Sequence, residues 1–201
     1  MSNIAIVYFS VFGHTHLMAE AIAEGASKIA GVKVELLRIA EEQFVNGSWQ
    51  DIEIMEKLNQ ADAIVFGSPT YMGGVAGQFK MFIDAARDVW ANQSWKDKLA
   101  GGFTYSSFLS GEKQGTLLYL AINAALNGMI WVSVGDLPSH FLEKDKEKDN
   151  GINRLGSFLG VMGQTQDTSE GEAILDPGDR LTAFRFGQRI AELAQRWTKV
   201  K

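Results

Sequence analysis

Five stretches of this chain are apolar almost without interruption: residues 4–9, 32–39, 63–67, 99–105 and 129–134. Each is short and rich in β-branched or aromatic residues. Continuous rather than alternating apolarity suits strands covered on both faces, as in a parallel sheet. The second stretch is broken by Lys33, Glu35 and Arg38, which places it nearer a sheet edge. Between the stretches, apolar residues return at helical spacing. Leu17, Ala21, Ile22, Gly25 and Ile29 form one stripe, and Ile52, Met55 and Leu58 a shorter one. Phe79, Phe82, Ile83, Ala86, Val89 and Trp90 form a third, and Leu117, Leu120, Ala121 and Ala124 a fourth. A last helix is predicted from Asp176-Pro177, a cap followed by a first-turn proline. It runs through Leu181, Phe184, Ile190, Leu193 and Trp197 toward Arg196, Lys199 and Lys201, whose charge suits a helix C-terminus.

Strand and helix thus alternate five times, which predicts right-handed crossovers and a doubly wound α/β domain spanning residues 1–201. One segment breaks the alternation, an excursion over residues 135–176 after the fifth strand. Its charge run over residues 143–149 reads as a solvated face. Its glycine-rich part, residues 151–163, reads as an active-site or oligomer loop, because long loops in compact domains often carry function.

Composition narrows the classes. The chain has 201 residues, 46% hydrophobic and 21% charged, enough for one domain with a sizeable core. A net charge of -5 without a basic run argues against nucleic-acid binding. The lack of cysteine excludes thiolate nucleophiles, disulfides and cysteine-ligated zinc or iron–sulfur sites. Met1-Ser2-Asn3 leads straight into a strand, unlike a signal peptide. Residues 117–134, interrupted by Asn123, Asn127 and Gly128, read as helix, turn and strand rather than a membrane span. A soluble cytoplasmic protein with no membrane partner is expected.

Ligands of an open parallel sheet bind outside the carboxyl ends of its strands. After the first strand comes Ser10-Val11-Phe12-Gly13-His14-Thr15 and then a helix. Hydroxyls, a glycine and a helix N-terminus can hold a phosphate by hydrogen bonds, here without lysine or arginine. Neither the G-x-x-x-x-G-K-[ST] loop nor the G-x-G-x-x-G turn is present. After the third strand comes Ser68-Pro69-Thr70-Tyr71-Met72-Gly73-Gly74, and after the fourth Tyr105-Ser106-Ser107-Phe108-Leu109-Ser110-Gly111. Ordinary connections would not need an aromatic ring on each loop, yet Phe12, Tyr71 and Phe108 stand there. No side-chain nucleophile, acid/base pair or metal-binding set stands out.

These loops, with Phe79-x-x-Phe82-Ile83-Asp84, Trp90, Lys98-Leu99-Ala100, Asn127-Gly128-Met129 and the glycine-rich segment 151–163, resemble the flavodoxin-like superfamily. Within it the chain is most similar to the WrbA-type NAD(P)H:quinone oxidoreductases, over nearly its whole length. The resemblance implies a five-stranded parallel sheet of order 2-1-3-4-5 with helices on both faces, and noncovalently bound FMN. It implies that Ser10, Phe12, Gly13, His14 and Thr15 surround the phosphate. Pro69, Thr70, Tyr71, Met72 and Gly73 would meet the isoalloxazine edge, and Tyr105, Ser106, Ser107, Phe108 and Ser110 would line its other side. Phe12, Trp90 and Asn127 would face the substrate. Two features depart from the pattern. Asn127 stands where the family commonly has histidine, and Phe108, Leu109 and Lys113 make the strand-four loop bulkier. The implied activity is hydride transfer from NADH or NADPH, through FMN, to a quinone-like acceptor, in a homodimer or homotetramer that completes the site across subunits. A flavodoxin-type one-electron carrier and a flavin-binding regulatory module are the alternatives.

Overall fold

The computed structural model describes residues 1–143, 149–164 and 172–198. Four long strands form the centre of one sheet. β1 (Ser2–Phe9) lies between β2 (Val32–Ile39) and β3 (Ala63–Tyr71), and β4 (Leu99–Tyr105) follows on the far side of β3. All of these pairings are parallel. The fifth position is shared by two short strands. β5 (Ile130–Trp131) pairs with Leu99 and Ala100, while β6 (Val161–Gly163) pairs with Phe103, Thr104 and Tyr105. The order is therefore 2-1-3-4-5, as the resemblance implied, with the last strand in two pieces.

The sequence reading placed the excursion after a single fifth strand over residues 129–134; the structure places it inside that strand position. The chain leaves the sheet after Val132, whose N–H still donates to the Ala100 carbonyl at 2.7 Å. Gly135 then takes a left-handed turn at φ 84°. Among its described residues the excursion carries a short helix, α6 (Ser139–Leu142), before β6 returns to the sheet. Part of the predicted charge run, residues 144–148, lies outside the described residues, as do Lys199 and Lys201.

Helices cover both faces. α1 (His14–Ser27) and α7 (Pro177–Thr198) lie on one side. α2 (Ile52–Gln60), α3 (Gly77–Ala85), α4 (Arg87–Ala91) and α5 (Lys113–Leu126) lie on the other. The pleat sorts the core. Ile4, Ile6 and Tyr8 of β1 pack with Met18, Ile22, Phe186 and Ile190, and Ala5, Val7 and Phe9 pack with Leu58, Phe79, Phe82 and Trp95. Each large side chain buried this way contributes about 1.5–3 kcal/mol. The third helical stripe of the sequence is divided at Ala86 into α3 and α4. α7 starts where the sequence places it: Asp176 Oδ1 accepts from the N–H groups of Gly178 (2.8 Å) and Asp179 (3.4 Å). Among the described residues, no helix is long and apolar enough to cross a membrane.

α1 and α7 meet backbone to backbone. A Cβ on Gly25 would stand 1.9 Å from the Phe184 carbonyl oxygen, and one on Gly187 would stand 2.0 Å from that of Ile22. Neither obstacle is a flexible side-chain end, so the helices themselves would have to part. Gly187→Ala should therefore cost about 1–3 kcal/mol, the usual range for overpacking. Urea denaturation of wild type and variant tests this, and an unchanged midpoint would show that the crossing is looser than described.

Candidate functional site

The carboxyl ends of β1, β3 and β4 reach the same side of the sheet, and each opens into a loop. The first is only four residues long. Ser10 and Thr15 are buried, while Phe12 leaves 74% of its surface exposed. Gly13 occupies the N-cap position of α1 in the left-handed region, at φ 91°. It brings no side-chain oxygen of its own to the helix end, so the positive end of the dipole faces the loop. Ser10 Oγ accepts from the His16 N–H at 3.3 Å, and the His16 ring is fixed by a 2.6 Å hydrogen bond between its Nδ1 and the Tyr8 hydroxyl. The Arg38 guanidinium donates to the Ser10 carbonyl at 3.0 Å and braces the loop from β2.

The second loop is a tight hairpin. Thr70 pairs with Val75 and Tyr71 with Gly74, leaving Met72 and Gly73 as the turn, both at positive φ (48° and 84°). Two consecutive left-handed residues are the hairpin turn that follows strand twist. Met72 is fully exposed at its tip, and Tyr71 is 37% exposed. Pro69 is buried. Ser68 Oγ accepts from the Ala76 N–H at 2.9 Å and donates to the Pro69 carbonyl at 2.8 Å, closing the base of the hairpin. The Thr70 hydroxyl points inward, within hydrogen-bond reach of the hydroxyls of Thr104 (2.8 Å) and Thr116 (2.7 Å). Its side chain therefore does not face the mouth of the site.

The third loop follows β4. Phe108 is 77% exposed, Leu109 and Ser110 are exposed, and Ser106 and Ser107 are half-buried. Tyr105 closes the strand, and its ring stacks on His14 of the first loop, with centroids 4.3 Å apart and planes within 4°. The structure thus brings the first and third loops into contact across the end of β3. Together the loops Ser10–Thr15, Ser68–Gly74 and Tyr105–Gly111 contain no aspartate or glutamate. Their chemistry is hydroxyls, backbone N–H groups, one helix N-terminus and the exposed apolar surface of Phe12, Tyr71, Met72 and Phe108. Such a set fits a phosphate monoester joined to a flat ring system.

Below the third loop lies a layer that sequence reasoning missed. Lys113, the first residue of α5, is fully buried. Its amine donates to the carbonyls of Phe108 (2.5 Å) and Leu109 (3.0 Å) and to Ser106 Oγ (3.2 Å). A cation at a helix N-terminus opposes the macrodipole, and that anomaly is the signal the sequence offered. Burial pulls the amine down from its ordinary 10.5 to about 8; the Asp179 carboxylate opposes the fall and the Arg154 charge adds to it. Asp179, buried in the first turn of α7, accepts from Arg154 Nη2 at 2.7 Å and from the Gln164 N–H at 2.8 Å. Desolvation nevertheless pushes its carboxyl upward. Gln164 Nε2 in turn donates to the Ser107 carbonyl at 2.9 Å, so the excursion and α7 both hold the loop. Asp179 alone reads as an ordinary first-turn acid, so nothing in the sequence announced this pair.

Two expected residues lie elsewhere. Trp90, 51% exposed on α4, and Asn127, buried just after α5, sit at the amino-terminal end of the sheet. Gln93 Nε2 bridges the two segments, donating to the carbonyls of Trp90 (2.8 Å) and Leu126 (3.3 Å). Asn127 Nδ2 donates to the Asn123 carbonyl at 2.9 Å. The reason is directional: α3 and α5 both run away from the loops, so residues at their far ends are carried a full sheet length off. Within one chain these two residues do not join the three loops.

Residues 4–144 match the family model described as NADPH-dependent FMN reductase. Over 195 residues the chain is 37% identical to the flavodoxin FldP of Pseudomonas aeruginosa, covering 97% of this chain and 98% of that protein. It is 33% identical over 207 residues to an NAD(P)H dehydrogenase (quinone) of Geotalea uraniireducens, covering 96% and 98% respectively. Among solved structures, the WrbA-like flavodoxin of Agrobacterium tumefaciens superposes with a TM-score of 0.74 at 36% identity, covering 98% of this chain and 99% of that one.

The buried amine gives a stability signature with a definite sign. Unfolded, Lys113 keeps its proton up to about its ordinary 10.5; folded, it gives the proton up at about 8. Between those values the unfolded state binds more protons, so stability rises with pH. Below about 8 both states are charged and the cost of the buried charge is fully present. The difference in thermal midpoint between wild type and Lys113→Met should be flat up to about pH 8 and then move in favour of wild type. A difference that stays flat to pH 10 would show that the amine is not desolvated.

Proposed function

The chain belongs to the NADPH-dependent FMN reductase family, and from that premise we propose that it passes a hydride from NADH or NADPH, through bound FMN, to a quinone or similar acceptor. The observation that carries this reading is the cluster at the strand ends. A helix N-terminus whose cap residue is a glycine, with two buried hydroxyls, stands beside the exposed Phe12, Tyr71 and Phe108, with no carboxylate in any of the three loops. FMN supplies the redox chemistry when bound; the protein's part is to hold, orient and shield it. Ser10, Thr15 and the first-turn N–H groups of α1 would take the phosphate. The backbone of the Thr70–Gly74 hairpin and the Tyr105–Ser110 loop would take the two sides of the ring. Lys113 and Gln164, by fixing the carbonyls of Ser107, Phe108 and Leu109, would position that loop without touching the ring.

The protein is placed in the cytoplasm on this reading, and its working form is a homodimer or homotetramer. Trp90 and Asn127 lie too far from their own chain's loops to serve them, so a substrate role for either requires a second copy. The alternative is a one-electron carrier, favoured by the name of the Pseudomonas aeruginosa relative. A carrier must resist its second electron, and carboxylates around the ring are the direct way to repel that charge. These loops contain none, which favours two-electron chemistry.

Two measurements check the reading. Ser10→Ala with Thr15→Ala should weaken FMN binding by about 1.5–3 kcal/mol for each hydrogen bond lost to a charged group, and riboflavin binding far less. Equal losses for the two flavins would place the phosphate elsewhere. Anaerobic NADPH or NADH should bleach the oxidised flavin directly, and benzoquinone should restore it. Accumulation of a long-lived one-electron-reduced flavin without nucleotide oxidation would transfer the protein to the carrier class.

A further inference from the structure

A groove of about 440 Å³ lies at the opposite end of the sheet from the loops, between the outer edge of β5 and the last turns of α7. Its apolar lining includes Leu99, Val132, Leu193 and Trp197, and its rim carries Arg189 and Arg196. Leu99 opens β4 and Tyr105 ends it, so the groove is about 20 Å from the loop cluster at the usual rise per strand residue. It is no part of the flavin site.

Each lining group is held in a set orientation. Arg189 and Arg196 are seven residues apart on α7, two turns, and so share one face of the helix. Arg189 Nε donates to the Ser133 carbonyl at 3.0 Å. A Cβ on Gly135 would stand 2.8 Å from its guanidinium carbon, so the group is seated on bare backbone. Among the described residues neither arginine has a carboxylate within ion-pair distance, whereas Arg154, Arg180 and Arg185 each do. The indole N–H of Trp197 is already spent on the protein, donating to the Asp97 carbonyl at 2.8 Å. The ring is thus locked by its polar edge and offers the groove only apolar surface.

We propose that this groove is a second ligand site, selective for a small aromatic carboxylate. The flat apolar body would lie over Leu99 and Leu193 against the Trp197 indole, and the carboxylate would meet the guanidinium groups at the rim. The volume is within the usual range for small-molecule sites, and the pattern of apolar walls with a few placed polar groups is the usual one. Guanidinium groups without a carboxylate partner match a carboxylate in both charge and shape. The assignment goes beyond the flavin chemistry and does not depend on it.

The test uses the full chain loaded with FMN and 2-naphthoate as the probe, followed by calorimetry and by quenching of tryptophan fluorescence. Binding should be saturable at one site per chain and should leave the flavin absorbance unchanged. Arg196→Gln, an exposed change near the end of α7, should weaken it at least about tenfold, the loss of one charge-assisted hydrogen bond. Arg189→Gln should do the same, and its fold is checked by circular dichroism because Arg189 also holds Ser133. The neutral 2-naphthamide should bind wild type as weakly as the acid binds Arg196→Gln. Equal affinity of wild type and Arg196→Gln, a change in the flavin spectrum on binding, or no binding at millimolar probe would each overturn the assignment.

Discussion

The close crossing of α1 and α7 is the constraint on which the rest of the molecule hangs. At Gly25 and Gly187 the two helices touch through main-chain atoms, so α1 can neither slide nor roll without breaking that contact. Its N-terminus is thereby fixed in space. The connection from Phe9 to His14 is only four residues long and has no slack to compensate for movement. A rigid strand at one end and a clamped helix at the other determine where Ser10 and Gly13 stand. Phosphate recognition without a countercharge depends on such preorganisation, because hydrogen bonds to an anion are directional and fall off quickly with misalignment.

The loop after β4 is held differently. It is long, carries exposed apolar side chains, and has no short tether of its own. Its carbonyls are gathered by a buried ammonium from α5 and by an amide from the excursion, which is in turn fixed by the Arg154–Asp179 pair. Burying charges carries a large desolvation cost, and apolar replacements are often no less stable. The value of this arrangement is therefore positional. It lets an otherwise mobile loop present Phe108 and Leu109 at a set height above the sheet.

Much of this was legible in the chain. The four long strands could be read because each is covered on both sides and so is apolar throughout. The site loops could be read because every ligand-facing turn of a parallel sheet falls on the same side, after the first, third and fourth strands. What failed to show itself depended on direction or on distance in sequence. Trp90 and Asn127 carry the right chemistry, but helix stripes do not reveal which end of the sheet a residue reaches. Thr70 has the right hydroxyl, turned inward by Thr104 and Thr116, which come from other elements. Arg154 and Asp179 are unremarkable alone and acquire meaning only when the excursion folds back on α7. The division of the fifth strand was hidden because residues 161–163 are too few to register as a strand beside the longer apolar run at 129–134.

That division has a consequence for how the molecule is assembled. By the register of β5, Val132 stands opposite Gly101 of β4, and by the register of β6, Gly160 stands opposite Gly102. The two cut ends are therefore abutting places on one rail, and residues 133–159 form a detachable cassette spliced between them. Excised and rejoined, the sheet edge would read straight through, leaving a smaller domain with the same strand order. The cassette, however, takes Arg154 with it, and with Arg154 the clamp on Asp179. Altering that insert would thus change one wall of the pocket while leaving the strand order in place.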